Sequence, residues 1–95
     1  SKKKLDARSD IFSLGITLYE LFAGRHPCDG QDSREIRRQI RSSRYKFEPP
    51  SKYNRAIPRQ LDQIILKALR RRPERRYQSV TEILMDLSRV SASRI

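Results

Sequence analysis

One run, Ser9–Arg25 with the sequence SDIFSLGITLYELFAGR, limits what this chain can fold into more than any other. Ile11, Phe12, Leu14, Ile16, Leu18, Tyr19, Leu21, Phe22 and Ala23 all fall within thirteen residues. At about 100° per residue they leave no wide polar face. A helix that is apolar nearly all round is normally buried, with other elements packed about it. The run is too short for a membrane span, and Gly15, Thr17 and Glu20 interrupt it. The expectation is a buried central helix over residues 7–23. It would follow an exposed lysine-rich lead-in, start from Asp6 as N-cap and end at Gly24 and Pro27.

Three amphipathic helices are expected around it. Asp32 and Glu35 have capping-box spacing at the start of a helix over 33–42, whose only apolar residues are Ile36 and Ile40. Arg34, Arg37, Arg38 and Arg41 take the rest of its surface and give it a basic face. Tyr45–Ile57, with Pro49-Pro50, has no helical period and reads as an ordered loop. After Pro58, residues Leu61, Ile64, Ile65, Ala68 and Leu69 recur at helical spacing, predicting a helix over 58–70 that Pro73 ends. Ser79-Val80-Thr81-Glu82 is a capping box opening a helix over 80–90, expected to bury Val80, Ile83, Leu84, Leu87 and Val90 and to fray beyond. No stretch alternates at period two for long enough to need a strand. The fold class is all-α: about four helices, one buried and three amphipathic, in a single partial domain over 1–95.

Charge bounds the partners. Twenty-two basic and eleven acidic side chains give a formal charge of +11, which favours acidic partners (phosphates, nucleic acid, anionic lipid or an acidic protein surface) without choosing among them. Cys28 is the only cysteine, which excludes an internal disulfide or a multi-cysteine zinc site. His26 and Cys28 have no further His or Cys to complete a metal site, so no metal is expected. Ser, His and Asp do not fall in a recognisable triad order. With no apolar leader and no membrane span, the expected location is cytoplasmic.

Two motifs carry a resemblance. Asp10-Ile11-Phe12-Ser13-Leu14-Gly15, followed by Gly24-x-x-Pro27, resembles the second half of the large lobe of eukaryotic-type protein kinases, the bacterial serine/threonine kinases above all. In that family a central helix, αF, carries D-x-[WFY]-S-x-G, then a G-x-x-P-F turn. Arg72-Pro73-Glu74-Arg75-Arg76-Tyr77 resembles the D-P-x-x-R-[YFW] motif between helices αH and αI. The resemblance covers essentially the whole chain. Arg72 departs from the motif's Asp and removes a possible local cap. Cys28 departs from its Phe and shrinks an apolar anchor. The Gly-rich loop, V-A-I-K, H-R-D-x-x-x-x-N, D-F-G and A-P-E motifs are not in this sequence. The resemblance therefore implies the αF–αI fragment of a serine/threonine kinase. It would be a scaffold and docking subdomain, not catalytically competent alone. No cofactor is expected in this chain. ATP and magnesium belong to the parent activity, phosphoryl transfer to Ser or Thr.

The resemblance also assigns roles. Asp10 matches an anchor that accepts hydrogen bonds from the catalytic-loop backbone; alternatively it is a first-turn acid favoured by the helix dipole. Arg76 matches the arginine that pairs with the A-P-E glutamate; alternatively it is one more solvated arginine. Glu20 matches a position that reads a substrate arginine, or is structural. Thr17 and Leu21 match an apolar column, and core packing is expected of both. Arg34, Arg37, Arg38 and Arg41 match a docking surface for substrates or regulators, or form a solvated face. The implied partners are the remainder of the kinase domain and a protein substrate or regulator, with self-association through uncovered apolar surface and no specific nucleic acid. The competing reading is a stand-alone basic helical module binding acidic protein or nucleic acid.

Overall fold

The computed structural model describes residues 2–42 and 44–90, the first turns of the leading helix by backbone alone. Four α-helices follow in order: α1 (Lys2–Ala23), α2 (Ser33–Arg41), α3 (Arg59–Ala68) and α4 (Val80–Ser88). Short 3-10 turns occupy Pro50–Lys52 and Pro73–Arg75. No strand occurs among the described residues. The architecture is all-α, with α1 packed against α3 and α3 against α4. The fraying expected beyond Val90 lies outside the described residues.

α1 differs from expectation in two ways. It begins at Lys2, so the lysine-rich lead-in is helical and Asp6 lies inside the helix instead of capping it. Nor is it buried all round. Ile11, Gly15, Tyr19 and Ala23 form a buried stripe at four-residue spacing, flanked by half-buried Phe12, Leu14, Ile16, Leu18 and Phe22. Asp10, Ser13, Thr17, Glu20 and Leu21 lie on an exposed face. Leu21 is 71% exposed, so the core packing expected of Thr17 and Leu21 does not occur. High apolar content marked the helix correctly, but the neighbours present cover only part of its circumference.

α3 shows the expected stripe, with Leu61, Ile64, Ile65 and Ala68 buried on one side and Leu69 buried at its C-cap. Burying each Leu or Ile contributes roughly 1.5–3 kcal/mol. The seam with α1 closes at Gly15, where a Cβ would stand 3.0 Å from Ala68 Cβ and 3.0 Å from Leu69 Cδ2. At α1's end, Gly24 takes φ +78° and its N–H donates to Glu20 O, while Asn54 Nδ2 donates to Phe22 O. Those bonds satisfy carbonyls that the helix leaves open.

α4 is less buried than expected. Ile83 is buried and Leu87 and Val90 are half-buried against Ile11, Ile64, Ala68 and Tyr77. Val80, Leu84 and Met85 are more than half exposed. The two capping boxes form with a one-residue displacement. Ser79 Oγ accepts from Glu82 N–H, but the Glu82 carboxylate accepts from Gln78 N–H, one residue before the cap. Asp32 Oδ1 likewise accepts from Glu35 N–H, while the Glu35 carboxylate accepts from Gln31 N–H. α2 contains no buried residue, and its half-buried Ile36 and Ile40 stand outside both core clusters.

Two buried tyrosines tie elements together. Tyr19 donates to Glu48 O at 2.6 Å, linking α1 to the loop before Pro50. Tyr77 donates to Asp86 Oδ2 at 2.7 Å, fixing α4 to the Pro73 turn. Burial pushes Tyr19 up to about 12, with Tyr53 and Glu48 adding and Arg25 opposing. Burial, then the Asp86 hydrogen bond, raises Tyr77 as well.

Gly15→Val is expected to overpack the α1–α3 seam and lower stability by about 1–3 kcal/mol in urea unfolding followed by helical circular dichroism. The tyrosines set an alkaline limit. A raised folded pKa means the folded state holds its proton more tightly, so this stability is complete below pH ~10 and is lost as pH rises toward the folded values. The loss is roughly 1.4 kcal/mol per pH unit for each tyrosine. Urea unfolding at successive pH values above ~9 should show that decline, with a shallower slope for Tyr19→Phe.

Candidate functional site

The candidate site lies where α1, the end of α2 and the connector after α3 meet. Phe12, on the flank of α1, stands 6.4 Å from the Phe47 ring, and Tyr45 packs edge-on to Phe47 at 5.7 Å. Two arginines cover these rings. Arg76 Cζ lies 4.7 Å from the Phe12 centroid and Arg71 Cζ lies 5.2 Å from the Phe47 centroid. Such stacking leaves the edges of the guanidinium free to donate in plane.

Those edges find backbone carbonyls. Arg76 Nε donates to Arg70 O, one terminal nitrogen to Arg8 O at 3.1 Å, and the other to Arg71 O at 3.1 Å. Arg76 thus joins the connector to α1 two residues before Asp10. Arg71 donates to Ile40 O at the end of α2 and to Tyr45 O in the loop. Burial and the neighbouring Arg8 charge pull Arg76 below the ordinary arginine value, with Glu74 opposing. Arg8 Nε is itself buried and makes no hydrogen bond among the described residues. Beside this joint, Ser9, Phe12, Ser13, Ile40, Arg41, Arg71 and Arg76 line an open hollow of about 430 Å³. Three cations face it, and among the described residues no carboxylate lines it.

The other candidates are placed apart. Asp10 and Glu20 are exposed, on the uncovered face of α1 with Thr17 and Leu21, within roughly a 100° sector. Arg34, Arg37, Arg38 and Arg41 line one hollow of about 530 Å³ along α2. Arg41 borders this hollow and the one at Arg76. His26 Nδ1 accepts from the N–H of Cys28, and burial pushes the Cys28 thiol up. Among the described residues no cluster of three or more His, Cys, Asp or Glu could hold a metal ion. Nor is any described helix long and apolar enough to cross a membrane.

Two structural residues had little or no sequence signal. Arg71 sits between Arg70 and Arg72 in a run whose members the sequence cannot rank. Asp62 is buried and accepts from the Ser51 N–H at 2.9 Å and from the Ser51 hydroxyl, holding the Pro50 turn against α3. On the helical wheel Asp62 falls within about 20° of Leu69, which marks it as a core-facing acid.

A central D-I-F-S-L-G helix joined through Arg76 to the R-P-E-R-R-Y turn defines the class: the chain belongs to the protein kinase family, whose domain model matches residues 1–87. Among curated relatives it is similar to the serine/threonine-protein kinase PknB of Mycobacterium leprae, 42% identical over 86 residues. It is 41% identical to PknB of Mycobacterium tuberculosis and 38% identical to a probable serine/threonine-protein kinase of Clostridium acetobutylicum, each over 86 residues. Each match covers 90% of this chain but only 13–14% of the relative.

Arg71→Lys keeps the charge but cannot reach both carbonyls as a fork does. The expected result is a loss of about 1–2 kcal/mol and faster amide exchange at the C-terminal end of α2 than in α3, read by hydrogen exchange.

Proposed function

We propose that these residues are the αF–αI portion of the large lobe of a serine/threonine protein kinase, with α1 as αF, α2 as αG, α3 as αH and α4 as αI. The whole protein would transfer the γ-phosphoryl group of ATP to serine or threonine. This portion would hold the lobe together and carry partner contacts. ATP and magnesium would be bound by the rest of that protein: among the described residues no cluster of three or more His, Cys, Asp or Glu could ligate a metal.

One observation carries the reading: the cationic joint at Arg76 is unfinished. Among the described residues, Arg76 is half-buried on backbone carbonyls, Arg8 Nε is buried without a hydrogen bond, and no acid lines the adjoining hollow. A guanidinium withdrawn from water is costly without an ionic partner. A glutamate entering from elsewhere in the domain would supply that charge, as the A-P-E glutamate does in the family this chain resembles. The uncovered face of α1 supports the same reading. Asp10 stands there as the anchor for catalytic-loop amides and Glu20 as the reader of a substrate arginine. Exposed Leu21, Val80, Leu84 and Met85 offer apolar area to the remainder of the lobe, or to a second copy when that remainder is absent.

A chimera tests this reading: residues 1–87 of this chain replace the matching segment of Mycobacterium tuberculosis PknB, and phosphoryl transfer to a protein substrate is measured. The chimera is expected to be active. Arg76→Met within it should destabilise by about 3 kcal/mol and lower activity about tenfold or more. The same substitution in the 95-residue chain should cost clearly less, because among the described residues no acid pairs with Arg76 and could be orphaned. A folded but inactive chimera, or equal costs in both settings, would overturn the proposal.

A further inference from the structure

α2 is held on one side only. Its N-terminus is capped by Asp32, its Glu35 carboxylate accepts from Gln31 N–H, and Gln39 donates to Asp29 Oδ1 at 2.7 Å. Gln39 also accepts from Gly30 N–H at 3.1 Å, and Arg71 binds the carbonyl of Ile40. These contacts fix the helix and engage the carboxylates of Asp29, Asp32 and Glu35. The opposite side carries Arg34, Arg37, Arg38 and Arg41, which line one hollow of about 530 Å³. None of the four makes an ion pair among the described residues. Four guanidinium groups therefore project from about 10 Å of an anchored helix with no anion facing them.

We propose that this four-arginine hollow binds a phosphoryl group carried on a polypeptide. The chemistry favours that ligand. Guanidinium presents paired donors that match phosphate oxygens bidentately. A phosphoryl group concentrates about −1.5 to −2 charges on three oxygens, whereas carboxylates would need several side chains in register to do the same. A nucleic acid strand fits less well, because no aromatic side chain lines the hollow to stack a base. A bilayer also fits less well. Among the described residues the large exposed apolar side chains are Leu21, Tyr53, Val80, Leu84 and Met85, none of them on α2. The ligand chemistry rests on α2 alone and is independent of whether α1 meets the rest of a kinase lobe.

The 95-residue chain can be titrated against a fluorescein-labelled decapeptide bearing one phosphoserine between glutamates, and against its unphosphorylated twin, by anisotropy at about 150 mM salt. The phosphopeptide is expected to bind about tenfold or more tightly than the twin. R34Q/R38Q should remove about tenfold of that affinity, whereas R55Q/R59Q, with the same charge loss on two exposed arginines outside α2, should change it by less than about twofold. Equal binding of the twin, or equal weakening by both variant pairs, would overturn the proposal as net-charge attraction. Tighter binding of a single-stranded oligonucleotide or of phosphatidylserine vesicles through the same arginines would overturn it in favour of those partners. Should R34Q/R38Q unfold, arginine Nε shifts in the intact chain decide. Phosphopeptide-induced shifts confined to the four α2 arginines support the site, and shifts elsewhere refute it.

Discussion

The fold depends on the absence of one Cβ. At Gly15 the backbone of α1 comes close enough to α3 that Ala68 and Leu69 fill the space a side chain would need. That approach lets Tyr19 and Ala23 meet Leu61, Ile65 and Leu69 on one side of the seam, and Ile11 meet Ile64 and Ala68 on the other. Once this seam is set, the lesser elements have defined places. Asp62, on the flank of α3, fixes the turn at Pro50, and Tyr19 on α1 binds the carbonyl of Glu48 just before that turn. The long proline-bearing loop is thus tied near its middle from both helices. α4 docks on the other side, where Ile83 and Tyr77 pack on Ile64 and Ala68.

α2 and the connector after α3 are joined to the rest by arginine more than by apolar area. With 36% hydrophobic residues, the chain has little greasy surface left for α2 and the connector. Arg71 and Arg76 substitute for it, each stacked on a phenylalanine and donating to carbonyls from two or more segments. A planar fork suits this task, since it can meet two carbonyls at once. Such joints neutralise no charge. They place cations side by side, as Arg8 and Arg76 show, and leave an electrostatic demand that carbonyl dipoles only partly meet.

How much was legible follows from the same division. The α3 stripe was plain because its apolar residues recur at the helical period, and each of them is buried in fact. Both capping boxes were legible as helix starts, though not the one-residue displacement of their glutamates, which depends on the path of the incoming chain. The burial of α1, Val80 and Leu84 was over-read. A sequence reports how apolar a helix is, not whether its neighbours are in the same 95 residues. The start of α1 was missed because Lys2–Leu5 has no apolar period to mark it. Arg71 could not be told from Arg70 or Arg72, since its role is set by where the loop returns Tyr45 and Phe47. Asp10, Glu20 and Arg76 could be nominated by motif, but only coordinates separate the exposed pair from the stacked arginine.

α2 is where these constraints converge. It has no buried residue, so its position relative to the core is set by polar contacts: a cap, Gln39 on Asp29 and Gly30, and Arg71 on Ile40. Polar contacts of this kind are each worth about 1 kcal/mol, so several together are needed to hold a helix that buries no residue. Arg41 belongs both to the arginine face of α2 and to the hollow at Arg76. An anion on one side and an acid on the other would therefore draw on the same guanidinium. The two hollows are neighbours in charge as well as in space, and the helix between them is the part of the fold whose placement such ligands would bias.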